Sequence, residues 1–154
     1  MDRRLASQIF LAVLFALLQN TNFLSLGGIK INLALILLLA LAFIVRNWME
    51  YSCLIILVSI LLKVEAGWDW NVIVFILVIL GVYFLKKFLP WQILLNYLFS
   101  VFLSTLVLYL LLDWHFIQNN FIIFFKELTY NMIFGALLYL ILARFYGEKT
   151  RIKF

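Results

Sequence analysis

The sequence predicts an all-α fold: a polytopic membrane bundle of six transmembrane helices, with both termini cytoplasmic, in a single domain spanning residues 1–154. Three observations carry that expectation. The chain is 68% hydrophobic and only 12% charged, whereas soluble domains average about 45–50% apolar and about 25% charged residues. The apolar residues fall in six continuous runs separated by short turns. The basic residues are divided unevenly between alternate turns.

The runs cover residues 5–18, 31–45, 51–62, 72–85, 93–112 and 121–145. A membrane helix needs about 20 predominantly apolar residues, so the fifth run qualifies outright and the sixth has length to spare. The first extends to Leu26 through Gln19, Asn20, Thr21 and Asn22. The middle three are short and predict short, tilted or partly irregular helices, with Lys30 and Lys63 reaching toward headgroups. The runs do not alternate in polarity, which argues against a β-barrel. Gly27-Gly28 punctuates the first turn and Arg46-Asn47 the second. The third, residues 65–71, carries Trp68 and Trp70, suited to a membrane interface. Pro90 in the fourth opens the fifth helix. Residues 113–120 make the last turn.

Orientation follows from lysine and arginine, which concentrate on the cytoplasmic side of short loops. With six crossings, one side holds Arg3, Arg4, Arg46, Lys86, Lys87, Arg144, Lys149, Arg151 and Lys153, and the other holds Lys30, Lys63 and Lys126. Nine against three places both termini in the cytoplasm. The net charge of +5 does not point to nucleic acid, because the positive residues form no single basic face. Arg3-Arg4 before an apolar stretch is like a secretory signal, yet no small-residue cleavage site follows, so the first helix is expected to stay uncleaved. The lone cysteine, Cys53, sits in an apolar run as a small packing residue.

Polar residues inside membrane helices are costly and mark candidate sites. Lys63, Glu65 and Asp69, with Asn71 nearby, form either an outward-facing polar site or a solvated helix end. Glu127 and Asn131 are four apart and share a helix face. Glu127 is expected either to be half-buried and paired with Asn131 or a neighbouring helix, or to stand at a helix start beside the positive end of the dipole. Asn96, Ser100 and Ser104 form a four-residue stripe that faces another helix. Ala12 and Ala16 form a small-residue pair, with Gln8 and Gln19 on nearby rows, for packing within the chain or for docking a second protein. The one histidine, His115, lies in a turn beside Asp113 and cannot supply a metal set. No catalytic triad, phosphate loop or paired-carboxylate motif is visible, so neither catalysis nor a cofactor or metal is expected.

Several of these features come together in one resemblance. The first helix has a basic start and ends in Leu17-Leu18-Gln19-Asn20. A short turn then leads through Gly28-Ile29-Lys30-Ile31-Asn32-Leu33, a "G-x-x-P-N-L" type pattern, into Ala34-Leu35-Ile36-Leu37-Leu38-Leu39. The third run closes on Leu62-Lys63-Val64-Glu65-Ala66-Gly67. The last helix carries Tyr130-Asn131 and ends in a basic tail from Arg144 to Lys153. In size and in this order of features the chain resembles the bacterial rod-shape-determining protein MreD family. Ile31 stands where that family usually has proline, and Glu65 where aspartate is common. The resemblance implies a non-catalytic scaffold of the cell-elongation complex in the bacterial inner membrane. It would support cell shape and peptidoglycan synthesis beside an MreC-like protein and cell-wall synthases. The family is also similar in fold to the substrate-binding subunits of energy-coupling-factor vitamin transporters. Those dock their membrane partner through an alanine motif on the first helix, which Ala12 and Ala16 match. That alternative requires a ligand pocket with convergent polar groups, for which the turns offer Trp68, Asp69, Trp70, Asn71, Asp113, Trp114 and His115.

Overall fold

All six apolar runs fold as helices. The computed structural model describes residues 3–21, 25–26, 29–45, 47–62 and 69–146. The helices are α1 (Arg3–Asn20), α2 (Leu33–Ile44), α3 (Trp48–Leu62), α4 (Trp70–Leu85), α5 (Ile93–Leu112), the short α6 (Trp114–Asn119) and α7 (Phe121–Phe145). Between α1 and α2 two strands of two residues each, β1 (Ser25–Leu26) and β2 (Ile29–Lys30), pair antiparallel. Among the described residues the fold is otherwise all-α.

Helix α2 organises the rest. Its sequence is apolar on every side, so it has no solvent face to offer. Eleven of its twelve residues are buried. A helix enclosed in this way still has unpaired N–H groups at its start and unpaired carbonyls at its end. Each of the five other long helices sends one polar side chain to it. From α1, Gln19 Oε1 accepts from the Leu33 amide at 2.7 Å. From α7, Asn131 Oδ1 accepts from the Asn32 amide at 3.0 Å, while Asn32 itself caps the Leu35 amide at 3.1 Å. Tyr51 of α3 donates to the Leu38 carbonyl at 3.1 Å and Tyr97 of α5 to the Ile36 carbonyl at 3.2 Å. The Lys86 ammonium, at the end of α4, donates to the Ala42 carbonyl.

These bonds also fix direction. Arg4 donates to the Tyr146 carbonyl at 3.0 Å, and Ser7 shares a hydrogen bond with the Tyr146 hydroxyl at 2.9 Å. The start of α1 therefore meets the end of α7. Lys86 joins the ends of α2 and α4. Trp48 at the start of α3 packs on Tyr83 and Phe84 of α4. At the opposite end, Asn20 of α1 donates to the Leu61 carbonyl of α3 at 2.8 Å. Helices α1, α3 and α5 thus run one way, and α2, α4 and α7 the other. We call the end bearing Arg4 and Tyr146 the terminal end and the other the hairpin end.

The middle runs are short, as expected, and two expectations, on the end of the first helix and on Pro90, are corrected. Of the six runs, two form helices long and apolar enough to cross a membrane at full length, Ile93–Leu112 and Phe121–Phe145. The others are cut short by polar groups at their ends, such as Asn32 before α2 and Asp69 before α4, both of which cap through the side chain. The first run does not extend to Leu26. It stops at Asn20, where Gln19 and Asn20 are drawn into bonds with α2 and α3. Pro90 lies outside α5, which starts at Ile93 behind an N-cap at Gln92.

The α5–α7 contact is a row-on-row packing with four-residue spacing on both helices. Tyr97, Thr105 and Tyr109 of α5 oppose Tyr139, Asn131 and Glu127 of α7. Tyr97 stacks on Tyr139 with centroids 4.8 Å apart, and Phe43 of α2 meets Tyr97 edge-on at 6.0 Å. A Cβ at Gly135 would lie 2.8 Å from the Tyr97 hydroxyl oxygen. That ring is buried, stacked and bonded to Ile36, so it cannot swing aside cheaply. Gly135→Ala is therefore expected to lower the melting temperature in detergent, by a loss of about 1–3 kcal/mol for overpacking. In a Tyr97→Phe background the obstructing oxygen is gone, and the same substitution should be neutral or stabilising, since alanine is a better helix former than glycine by about 1 kcal/mol. Equal losses in both backgrounds would refute the contact.

Candidate functional site

The buried polar side chains gather along the α5–α7 seam and at the start of α2. Asn131 is fully enclosed. Besides accepting from Asn32, it lies 3.4 Å from Thr105 Oγ1 through its amide nitrogen, a long contact. One turn toward the hairpin end, Glu127 is buried and its Oε2 accepts from the Tyr109 hydroxyl. Tyr109 is held for this by the ring of Phe116 on α6, stacked at 5.4 Å, and by Phe124 of α7, edge-on at 5.2 Å. Of the readings open for Glu127, pairing with a neighbouring helix is the one found. The carboxylate does not stand free at a helix start.

The stripe Asn96, Ser100 and Ser104 is buried, as the spacing predicts. Asn96 closes the turn ahead of its own helix, its amide nitrogen donating to the Leu89 and Trp91 carbonyls at 3.2 and 2.9 Å. Ser100 donates back to the Asn96 carbonyl at 2.7 Å. The Ser104 hydroxyl and the Asn96 side-chain oxygen have no partner.

The remaining candidates separate. Asp69 caps α4, accepting from the Asn71 amide at 2.8 Å. Lys63 and Glu65 lie outside the described residues. Asp113 is likewise used as a cap, accepting from the Phe116 amide at 2.9 Å, and Trp70, Trp114 and His115 are exposed. The turn residues offered for a ligand pocket are thus engaged locally or turned outward, apart from Trp68, which lies outside the described residues.

Of the two readings open for Ala12 and Ala16, packing within the chain is the one found, and docking is not. Both are completely buried, on the face of α1 that packs against α2 and α3. The close approach that small residues permit is used up within the chain, and no second protein can reach them. Cys53, expected in the packing, is exposed on α3.

Sequence reasoning missed Tyr97, Thr105 and Tyr109. The signal was present: they stand at four- and eight-residue spacing on the row next to Asn96, Ser100 and Ser104. Gly135 and Tyr139 continue the Glu127–Asn131 row in the same manner.

Among the described residues no group of three or more potential metal-ligating side chains comes together. Chemically, the seam can hold helices in register, because Asn131 and Glu127 of α7 bond to the start of α2 and to α5. No family model, curated protein or solved structure matches this chain.

Asn131 is the link between α7 and the start of α2. Asn131→Leu removes the acceptor and strands the Asn32 amide. Interhelical hydrogen bonds in membranes average about 0.6 kcal/mol and reach about 1.7. A measurable fall in melting temperature in detergent is expected for Asn131→Leu, and none for Asn71→Leu on the exposed start of α4. Equal stability of the two variants would show that the bond contributes nothing.

Proposed function

We propose that the chain is a multi-pass protein of the bacterial cytoplasmic membrane, with six crossings and both termini in the cytoplasm. On this reading it serves as a non-catalytic scaffold of the cell-elongation machinery beside an MreC-like partner. The observation that carries the membrane part is an inverted distribution of polarity. The polar side chains Gln8, Ser59, Asn96, Ser100, Ser104, Thr105, Glu127 and Asn131 are buried, while large apolar residues cover the outside. Phe10, Leu14 and Leu17 line the outer face of α1, Ile56 and Ile60 that of α3, and Leu95, Phe99 and Phe102 that of α5. Ile133, Leu137, Leu140 and Ile141 do the same on α7. Soluble proteins rarely expose apolar patches beyond a few hundred Å²; lipid is the solvent that suits this surface.

Two further features support the reading. Exposed tryptophans stand at both ends: Trp48 and Trp91 at the terminal end, Trp70 and Trp114 at the hairpin end. The twenty residues of α5 between Trp91 and Trp114 span about 30 Å at 1.5 Å per residue, the thickness of the hydrocarbon core. The shorter helices do not argue against crossing. Helix α2, at about 18 Å, is sheathed in protein, and non-helical backbone at membrane depth is tolerated where protein covers it.

The scaffold part rests on the resemblance to MreD-like proteins. It is supported by the use of Glu127 and Asn131, whose hydrogen bonds join α7 to α5 and to the start of α2. Topology and partnership are tested separately. In cells, with Cys53 replaced, a cysteine placed at position 114 is expected to react with an impermeant thiol reagent from outside, and one at position 150 to stay protected. The reverse pattern would invert the orientation. Extraction in mild detergent is expected to recover an MreC-like protein with this chain. Recovery of an ATPase module with its own membrane subunit would instead identify a transporter component.

A further inference from the structure

The two adjacent lysines that follow α4 part company. Lys86 turns inward, donating to the Ala42 carbonyl and placing its ammonium 3.9 Å from the centroid of the Tyr83 ring. Lys87 is exposed and, among the described residues, makes no hydrogen bond or ion pair. The outer face of α4 below it is apolar: Phe84 and Leu77, seven residues apart on one face, are both more than half exposed. We propose that this face holds an anionic phospholipid of the cytoplasmic leaflet, its phosphate on Lys87 and its two acyl chains astride Phe84. The proposal rests on the membrane reading above.

The order of the residues across the membrane fits a lipid. Helix α4 runs toward the terminal end, so the residues that precede Lys87 lie deeper. Phe84 is three residues deeper, about 4.5 Å at 1.5 Å per residue, and Leu77 is ten residues deeper, about 15 Å. The second distance is half the hydrocarbon core of about 30 Å, the depth of one leaflet. On the neighbouring helix, Trp48 stands at the terminal end of α3 and packs on Phe84 at 5.2 Å. Ile56, also more than half exposed, lies about two turns deeper on α3. The ammonium is thus outermost, the indole stands at the boundary that suits it, and the apolar side chains lie inside.

The face also has a notch. A glycine inside a helix costs about 1 kcal/mol relative to alanine. Nothing lies within 4 Å of the place a Cβ would take at Gly81, so no close approach within the chain calls for this glycine. It precedes Phe84 by three residues and follows Leu77 by four, which puts it between them on the helix surface. It lies on the flank of Phe84 away from Tyr83, the residue that meets Trp48 at 4.9 Å. One acyl chain would occupy the notch against the α4 backbone, the other the flank beside Trp48 and Ile56. The Lys86 ammonium adds a second positive charge behind the site. The acid nearest Trp48 in sequence, Glu50, is about 200° round α3 and accepts from the Asn47 side-chain amide at 3.1 Å. Anionic lipid of the cytoplasmic leaflet is drawn to lysines at that boundary. A zwitterionic lipid would satisfy Lys87 less well, because its own cation competes for the phosphate.

The test uses the full chain reconstituted into vesicles of phosphatidylcholine and phosphatidylglycerol in equal parts. An analogue of either lipid, photoactivatable in its acyl chain, is added in trace, and cross-linked peptides are mapped. Wild type is expected to cross-link phosphatidylglycerol over phosphatidylcholine within residues 77–88. Lys87→Gln should lower that preference about fivefold, the factor matching about 1 kcal/mol for a lysine at an anionic surface. Lys87→Arg should retain it, and Lys126→Gln at the hairpin end should leave it unchanged. Gly81→Leu, whose side chain enters open space, should reduce labelling of residues 77–88 by both lipids without lowering the melting temperature in detergent. Equal labelling of wild type by the two lipids, a preference untouched in Lys87→Gln, or labelling untouched in Gly81→Leu overturns the proposal while leaving the membrane reading in place. Displacement by excess inorganic phosphate or by a soluble polyglutamate peptide overturns it too, since the site would then take a soluble anion or an acidic protein segment. Release of the whole protein from the vesicles by alkaline carbonate would fell the membrane reading itself.

Discussion

A helix buried on all sides must obtain its terminal hydrogen bonds from its neighbours, and in this protein that requirement falls on α2. A buried polar group left unpaired costs about 1–3 kcal/mol, and more in a hydrocarbon surrounding. The answer is distributive. Gln19, Asn131 and Lys86, from α1, α7 and α4, serve the ends of α2, and Tyr51 and Tyr97, from α3 and α5, add bonds to the Leu38 and Ile36 carbonyls within it. Hydrophobic attraction does little to choose between arrangements of apolar helices when the surrounding solvent is equally apolar. Five directed bonds to one central helix, by contrast, fix where each neighbour stands and at what height. The apolar core then packs around a frame that polar groups have specified.

The same economy explains the seam between α5 and α7. Rows with four-residue spacing meet along their length, and each level has its own chemistry: a tyrosine stack, a glycine beside a tyrosine hydroxyl, a threonine near an asparagine, a tyrosine bonded to a glutamate. The glycine level is the tightest. At Gly135 the absence of a Cβ lets the Tyr97 hydroxyl pass α7 and reach the Ile36 carbonyl. The seam and the central helix are therefore one construction, joined at Tyr97 and at Asn131.

Much of this was legible in the sequence. The six runs correspond to six helices because continuous apolar stretches between short turns leave little alternative. The inward placement of Asn96, Ser100 and Ser104 followed from their spacing, whereas the Glu127–Asn131 spacing left a surface position equally open. What was not legible has a common cause. The end of α1 at Asn20, where apolar residues continue as far as Leu26, depends on what Gln19 and Asn20 bond to, and those partners lie on other helices. The burial of Ala12 and Ala16 depends in the same way on which helix fills the space beside α1. Spacing shows that a face is distinctive; it does not show whether the neighbour belongs to the same chain. The tyrosines were overlooked for a different reason. Tyr97 and Tyr139 read as apolar residues in apolar runs, although one hydroxyl is a structural donor.

The spending of polar groups inside bears on where any partner can act. Gln19, Asn131, Tyr97 and Glu127 are bonded within the chain, and Ala12 and Ala16 are enclosed. What remains is the outer surface and the two ends. The ends differ in charge: the terminal end carries Arg4, Lys86, Lys87 and Arg144, whereas the described hairpin end carries Asp69 and Asp113 with Lys126. The outer surface is largely apolar, so in a membrane lipid and protein would compete for it on equal hydrophobic terms, and shape or a few polar contacts would decide between them. A scaffold of this construction would be rigid at its centre and selective at its periphery. Its specificity is to be sought in its charged ends.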